Sequence, residues 1–503
     1  MAMLWLALVS LFFYGWWDAR FVGLLLGSIV FNFSLAYFIG NRVSCQSFTQ
    51  AKILLFFAIS CDLALLGYYK YANFFAENIS LLTNIALPVG ELFLPLGISF
   101  FTFTQIAYLV DTYKGKVEDY SSIVRYTLFV TYFPHLIAGP VLHHKEMMPQ
   151  FADENVCNIN KNNMAIGLGI FVLGLSGKIL LADPLGGFAS PIFNAASPET
   201  PPMLFEAWIG ALAYTLQLYF DFSAYSDMAI GLSLMLNVRL PMNFNSPYQA
   251  TSMIEFWRRW HMTLSRFLRD YLYIPMGGNQ KGNLTRYKNL IITMLLGGLW
   301  HGAGWTFVIW GGLHGFYLMV NHMWRALKGQ MGWAEGGRLA NAGSFVLTFL
   351  AAVVGWVFFR AENVTSAMVM LKGMLGLNGV SLHSSMKKLL EGYVQANPWI
   401  VFENTMPLTA LNGKEAIVLL LIGLVVACGF PNARQLFFRY HPTCEDMEIT
   451  RRSEIAETQF PKLQRLFFWN DSNIQGAVYG VLFFLLIIYM ASAAKSEFLY
   501  FQF

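Results

Sequence analysis

The chain has 503 residues, 56% of them hydrophobic, 16% aromatic and only 12% charged. A soluble globular chain carries about 25% charged residues, so a chain this long and this apolar reads as lipid-facing rather than as several soluble domains. The small net charge of +4 argues against a nucleic-acid binder, and the five scattered cysteines (Cys45, Cys61, Cys157, Cys428, Cys444) form neither a disulfide framework nor a metal spacing.

Met3–Trp17 opens the chain as an apolar run without a basic flank or a small-residue cleavage site, and is expected to be a retained span rather than a cleaved signal. Phe21–Ile39, Ile53–Tyr69, Leu92–Val110, Ile123–Val141, Met164–Leu181 and Leu204–Phe222 follow as further candidate spans. After them come a mixed stretch Met228–Leu240, a hairpin Leu290–Trp324, and the spans Ser344–Phe359, Ala416–Phe430 and Gly476–Ala491. A span needs roughly 20 apolar residues, and backbone in lipid must satisfy its own hydrogen bonds, so the runs predict helices, about a dozen crossings or part-crossings. No repeat or linker interrupts them, which gives one membrane domain over residues 1–503 with polar loops at 142–163, 241–288, 361–415 and 431–473.

Lys and Arg orient this array. The loop 431–473 holds Arg434, Arg439, Arg451, Arg452, Lys462 and Arg465, against only Lys372, Lys387, Lys388 and Lys414 in 361–415. The richer loop is expected in the cytoplasm, which carries the tail 492–503 outward. By the same bias 276–288 and 325–343 face inward, so Leu290–Trp324 rises into the bilayer and returns. Gly297, Gly298, Gly302 and Gly304 interrupt it, and irregular backbone at that depth belongs beside a cavity. His301, at the bend, is therefore predicted in a pocket.

Leu299-Trp300-His301-Gly302-Ala303-Gly304-Trp305 is the most informative stretch. An intramembrane imidazole is costly unless it faces the protein interior; a buried, neutral one suits a general base, and the alternative is a histidine hydrogen-bonded for packing. Upstream, Glu255-Phe256-Trp257-Arg258-Arg259-Trp260-His261-Met262 continues to Arg266, Arg269 and Asp270. As one helix it puts Trp257, His261 and Leu264 on a single face. Its guanidinium groups suit a phosphate or carboxylate of a donor, or else anchor an interfacial amphipathic helix. Asp221 and Asp227, beside an apolar span, either orient a histidine or arginine or join helices as an ion pair. His135, His314 and His322 are expected to be structural. The tail Glu497–Phe503 is either an interfacial anchor or a segment that folds back and brings Tyr500 to the pocket. No phosphate-binding glycine loop, nucleophile elbow or HExxH is present.

Six stretches occur together and in order: Leu94-Pro95-Leu96-Gly97-Ile98-Ser99-Phe100, Phe133-Pro134-His135 through Gly139-Pro140, Tyr219-Phe220-Asp221-Phe222-Ser223 through Ser226-Asp227-Met228-Ala229, Phe256-Trp257-Arg258-Arg259-Trp260-His261, Arg269-Asp270-Tyr271-Leu272-Tyr273 and Gly297-Gly298-Leu299-Trp300-His301-Gly302. Across residues 60–325 this set resembles the membrane-bound O-acyltransferase family, in the branch acting on alginate, cellulose and peptidoglycan.

The resemblance implies an all-α polytopic fold, a ring of tilted helices around a central funnel with re-entrant helices. It puts the family's signature histidine on His301 and its second motif histidine on His261. It implies an acyl thioester such as acetyl-CoA as donor substrate and no bound cofactor or metal. It implies a place for the chain in the bacterial inner membrane and a periplasmic partner, either an SGNH-type acetyltransferase or a small acyl-relay protein. His301 is then the expected base, His261 or Asp221 orients or polarises, and Trp257, Arg258, Arg259, Arg269 and Trp300 hold the donor. Tyr500 is a candidate acyl carrier, because the aromatic tail resembles one that ends a small partner in teichoic-acid D-alanylation. Relatives reach the motif at Tyr14-Gly15-Trp16-Trp17 only after an earlier span. A transporter of a glycan precursor or proton-coupled solute, and a scaffold that recruits a transferase, are the alternatives from other classes.

Overall fold

The computed structural model describes residues 2–499 apart from 86, 88–89, 91, 118–120, 138, 154–155, 157, 333–335, 388–398, 404–405, 407, 410, 445–467, 470–471 and 493–497. In chain order the helices are α1 (Ala2–Trp17), α2 (Val22–Ser44), α3 (Phe48–Leu66), α4 (Ala72–Thr83), α5 (Ile98–Tyr113), α6 (Ile123–Thr131), α7 (His144–Ala152), α8 (Lys161–Gly177), α9 (Asp183–Ala195) and α10 (Leu204–Met235). They continue as α11 (Met253–Arg259), α12 (Met262–Leu268), α13 (Gly282–His301), α14 (Trp305–Gln330), α15 (Arg338–Arg360), α16 (Val364–Met374), α17 (Gly413–Gly429), α18 (Ala433–Phe437) and α19 (Asn473–Ser492). Two short parallel strands, β1 (Val380–His383) and β2 (Ile400–Glu403), pair Val380 with Ile400. The protein is all-α in class.

Among the described residues, five helical segments are long and apolar enough to cross a membrane: Ala19–Ser44, Phe48–Thr83, Lys161–Ala195, Arg338–Arg360 and Asn473–Ser492. A sixth arises if Gly413–Gly429 and Ala433–Tyr440, bent by 51°, count as one. This is a multi-pass membrane protein. Large exposed side chains such as Phe12, Phe56, Leu347 and Phe484 are what such helices offer to lipid.

Several expected spans are shorter or differently divided. Ile123–Val141 is helical only to Thr131, because Pro134 and Pro140 cannot donate to a helical ladder. Leu92–Val110 becomes helical only at Ile98. Before it Gly97 turns at φ +69°, and a Cβ there would lie 2.9 Å from the Leu136 carbonyl. Leu204–Phe222 and Met228–Leu240 fuse into the 32-residue α10, buried along nearly its whole length as the central post of the fold. A helix hydrophobic on every side is stable only in such a place.

Candidate active site

The stretch 255–270 is not one helix. Helix α11 ends at Arg259 and α12 starts at Met262, because His261 adopts the left-handed conformation at φ +42°. That costs about 1–3 kcal/mol for a non-glycine residue and persists only where surroundings enforce it. The enforcing element is the extended segment after α10. Asn245 N–H donates to the Arg259 carbonyl (2.9 Å) and Met262 N–H to the Asn243 carbonyl (2.9 Å). The break takes His261 off the face of Trp257 and turns it inward.

The Asn243 side chain then fixes the His261 tautomer. Val141 N–H donates to Thr263 Oγ1 (2.9 Å), so the Thr263 hydroxyl proton points to Asn243 Oδ1 (2.9 Å). Asn243 Nδ2 donates to Ser226 Oγ (3.2 Å). With the amide oriented this way, its Oδ1 at 2.9 Å accepts a hydrogen bond from His261 Nδ1–H, and Nε2 keeps the lone pair. Among the described residues, Nε2 is buried without a hydrogen-bond partner.

His301 is the last residue of α13 and is 6% exposed. Its ring centroid lies 6.4 Å from His261, 4.8 Å from Trp300, 5.1 Å from Trp310 and 5.2 Å from Phe359. Helices α13 and α14 meet at two glycines: a Cβ on Gly298 would lie 2.2 Å from the Phe307 carbonyl, and one on Gly311 would lie 2.3 Å from that of Met294. The chain reverses through Gly302–Gly304, where Ala303 is exposed and Trp305 is 55% exposed. His301 is therefore buried two residues from the molecular surface.

On the other side, a cavity of about 620 Å³ is lined by Trp257, Arg258, Arg266, Arg269, Arg286 and His322, among others, and reaches Thr293 and Met294 of α13. Met294 lies seven residues before His301, about 10 Å along the helix. Arg266 is engaged by Glu146 (Nη2–Oε2 2.9 Å), Arg269 by Asp270 (2.7 Å) and Arg286 by His322 (2.6 Å). Of the residues expected to hold a donor, Trp257, Arg258 and Arg269 line this cavity. Arg259 instead pairs with Glu255 (2.8 Å), and Trp300 stacks on Phe103 (5.5 Å). Arg286 was legible only as a basic loop residue.

A second cavity, about 470 Å³, is lined by Tyr219, Ser226, Asp227, Asn243 and Arg434, among others. Met242 borders both cavities, and neither is lined by His261 or His301.

Asp221 is not brought to the histidines. It pairs with Lys178 (2.6 Å), which also binds Asp183 (2.7 Å), and it accepts the Leu499 N–H (2.9 Å). The tail thus reaches the centre of the fold. Phe498 stacks on Tyr225 (4.7 Å) and approaches Phe222 (6.1 Å), whose ring lies 4.8 Å from His261. Tyr500 lies outside the described residues. His314 accepts from Trp257 Nε1 (3.2 Å), and His135 Nδ1 lies 2.8 Å from the Tyr132 carbonyl.

Asp111, His143 and His144 bring three metal-type donors within 4.8 Å of one another. Every ring nitrogen there is already engaged. His143 Nδ1 accepts the Lys145 N–H (3.3 Å), and His143 Nε2 faces Asp111 Oδ2 (2.9 Å) and Tyr271 OH (3.0 Å). His144 Nδ1 faces Asp111 (3.4 Å) and Nε2 the Lys116 carbonyl (3.4 Å). Burial, then the neighbouring His143, pushes the His144 imidazole down to about 4. Burial alone would raise the Asp111 carboxyl, but hydrogen bonds from His143 and Tyr271 bring it down to about 2.

The family model described as the membrane-bound O-acyltransferase family matches residues 116–361. A peptidoglycan O-acetyltransferase of Helicobacter pylori is 44% identical over 428 residues, covering 80% of this chain and 79% of that protein. A protein of Pseudomonas aeruginosa named "Probable alginate O-acetylase AlgI" is 44% identical over 375 residues, 73% of this chain and 69% of its own length. A teichoic acid D-alanyltransferase of Streptococcus thermophilus is 28% identical over 243 residues, 46% and 58% of the two chains.

Proposed function

This chain belongs to the membrane-bound O-acyltransferase family and is an O-acyltransferase, and we propose that it carries acetyl groups across the bacterial inner membrane for O-acetylation of an exported or cell-wall glycan. The donor is a cytoplasmic acyl thioester such as acetyl-CoA. It enters the arginine-lined cavity, where guanidinium groups suit its phosphates. The acceptor approaches from the periplasm at the Gly302–Gly304 turn. The basic loop 431–473 supports this orientation and a periplasmic C-terminus.

The acceptor hydroxyl, that of Tyr500 or of a serine on an SGNH-type or relay partner, gives its proton to His301 and attacks the thioester carbonyl. The C–S bond breaks, the thiolate leaves and takes the proton from His301, and the acetyl ester remains on the acceptor. His261 spends its only N–H on Asn243, so it offers a lone pair and no donor. That suits it to receive a hydrogen bond and orient its neighbour, and it cannot polarise a carbonyl. Asp221, held by Lys178 and by the tail, serves to seat the tail.

The observation that carries this reading is His301 at the end of a helix whose middle borders an arginine-lined cavity and which turns back, two residues on, through the exposed Ala303. Incubating purified protein with radiolabelled acetyl-CoA tests it. Label is expected on Tyr500 or on an added partner, and Tyr500→Phe removes it if the tail is the carrier. Solute flux that needs no acyl donor would instead favour a transporter.

A further inference from the structure

Between α3 and α4 the chain makes a π-helical turn, Gly67–Tyr71. Such turns within helices are frequent at functional sites, and this one faces the end of α13. The last four carbonyls of a helix have no partner within it. Three of those of α13 are taken by two adjacent side chains of the turn. Lys70 Nζ donates to the Trp300 carbonyl (2.6 Å) and the His301 carbonyl (3.0 Å), and Tyr71 OH donates to that of Leu299 (2.8 Å).

The partners are 228 to 231 residues apart in sequence. Among the described residues, no carboxylate lies within ion-pair distance of Lys70. A half-buried ammonium usually offsets its desolvation with an anion. This one has only the negative end of a helix and, at 6.0 Å, the Trp300 ring. The same strap holds the other side of the bend, where Asn78 of α4 accepts from Trp305 Nε1 (2.9 Å) at the first residue of α14.

We propose that Lys70 and Tyr71 are positioning residues for His301: they clamp the last turn of α13 and hold the imidazole in register with the acyl group. This rests on the function proposed above. The clamp and the arginine-lined cavity share no residue, so the two contributions separate kinetically.

In proteoliposomes, Lys70→Met is expected to lower kcat about 100-fold, the scale of an ångström-level misplacement, with the KM for acetyl-CoA unchanged. Lys70→Arg, whose fork can bridge two carbonyls, should recover most of the rate. Tyr71→Phe loses one hydrogen bond, about a three- to tenfold loss in kcat. Wild-type kcat in Lys70→Met, or a raised donor KM with unchanged kcat, overturns the clamp. If Lys70→Met does not fold, Tyr71→Phe decides: reduced kcat in a normally folded protein supports the clamp, and full kcat overturns it. A wild-type protein that transfers no acetyl group defeats the proposed function instead, and is read before any variant.

Discussion

At the head of α7, His143 and His144 use all four ring nitrogens on Asp111, Tyr271 and two backbone groups. At the centre of the fold, His261 and His314 each keep one buried nitrogen with no hydrogen-bond partner among the described residues, and the walls around them are tryptophan and phenylalanine. Leaving a buried polar atom unmade costs about 1–3 kcal/mol. In the first group every imidazole nitrogen has a partner, and its contribution is to stability. The second carries a standing cost that stability does not explain, and unsatisfied polar atoms of this kind are where chemistry is sought.

Substitutions in the two groups should separate these roles. Below the complete loss expected at His301, the largest effect is expected at His261. His261→Ala should lower acetyl transfer about 10³-fold, within the range of losing a group that orients a catalytic base, with membrane insertion unchanged on a native gel. Asn243→Ala comes next, at about 10²-fold. It frees His261 to take the other tautomer, and the loss should appear in kcat rather than in donor KM. An unaltered rate there would mean that the tautomer does not matter.

Arg258→Ala and Arg286→Ala should each raise the donor KM about tenfold, about 1.4 kcal/mol of binding, with kcat kept. A truncated donor lacking the nucleotide phosphates should be insensitive to both.

The smallest effect on activity is expected at His144. His144→Gln should leave transfer within about twofold, and it should alter the response of stability to acid. The native imidazole stays neutral down to about 4, against 6.5 in the unfolded chain, so its contribution is present above pH 6.5 and lost as pH falls toward 4. That is roughly 3 kcal/mol. Asp111 extends the loss in the same direction, from 3.8 down to about 2. Thermal unfolding between pH 7 and 4 should be flatter in His144→Gln than in wild type. Inactivity of this variant at pH 7 would erase the contrast between the two groups.

Much of the scaffold was legible because its signals are local. Apolar runs marked helices, and the glycines around His301 marked the reversal between α13 and α14. The site was legible only where a motif carried it. His261 was misread because the spacing Trp257, His261, Leu264 is helical. Its left-handed turn is imposed by Asn243, 18 residues earlier, through bonds with no sequence period. Lys70 went unnoticed for the same reason on a larger scale, since its partners lie 230 and 231 residues away. Arg259 and Arg258 look alike in sequence, yet a Glu255 one helical turn back claims the first and leaves the second facing the cavity.

On the proposed mechanism the imidazole at the end of α13 handles the proton that moves when the acyl group passes from one face to the other. Proteoliposomes loaded with an acceptor partner and given radiolabelled acetyl-CoA only outside measure this directly, for protein inserted with its arginine-lined cavity outward. Wild-type protein should label the enclosed acceptor, and His301→Ala, inserted equally well, should label it no faster than empty vesicles. Wild-type rates of labelling in His301→Ala would contradict the account.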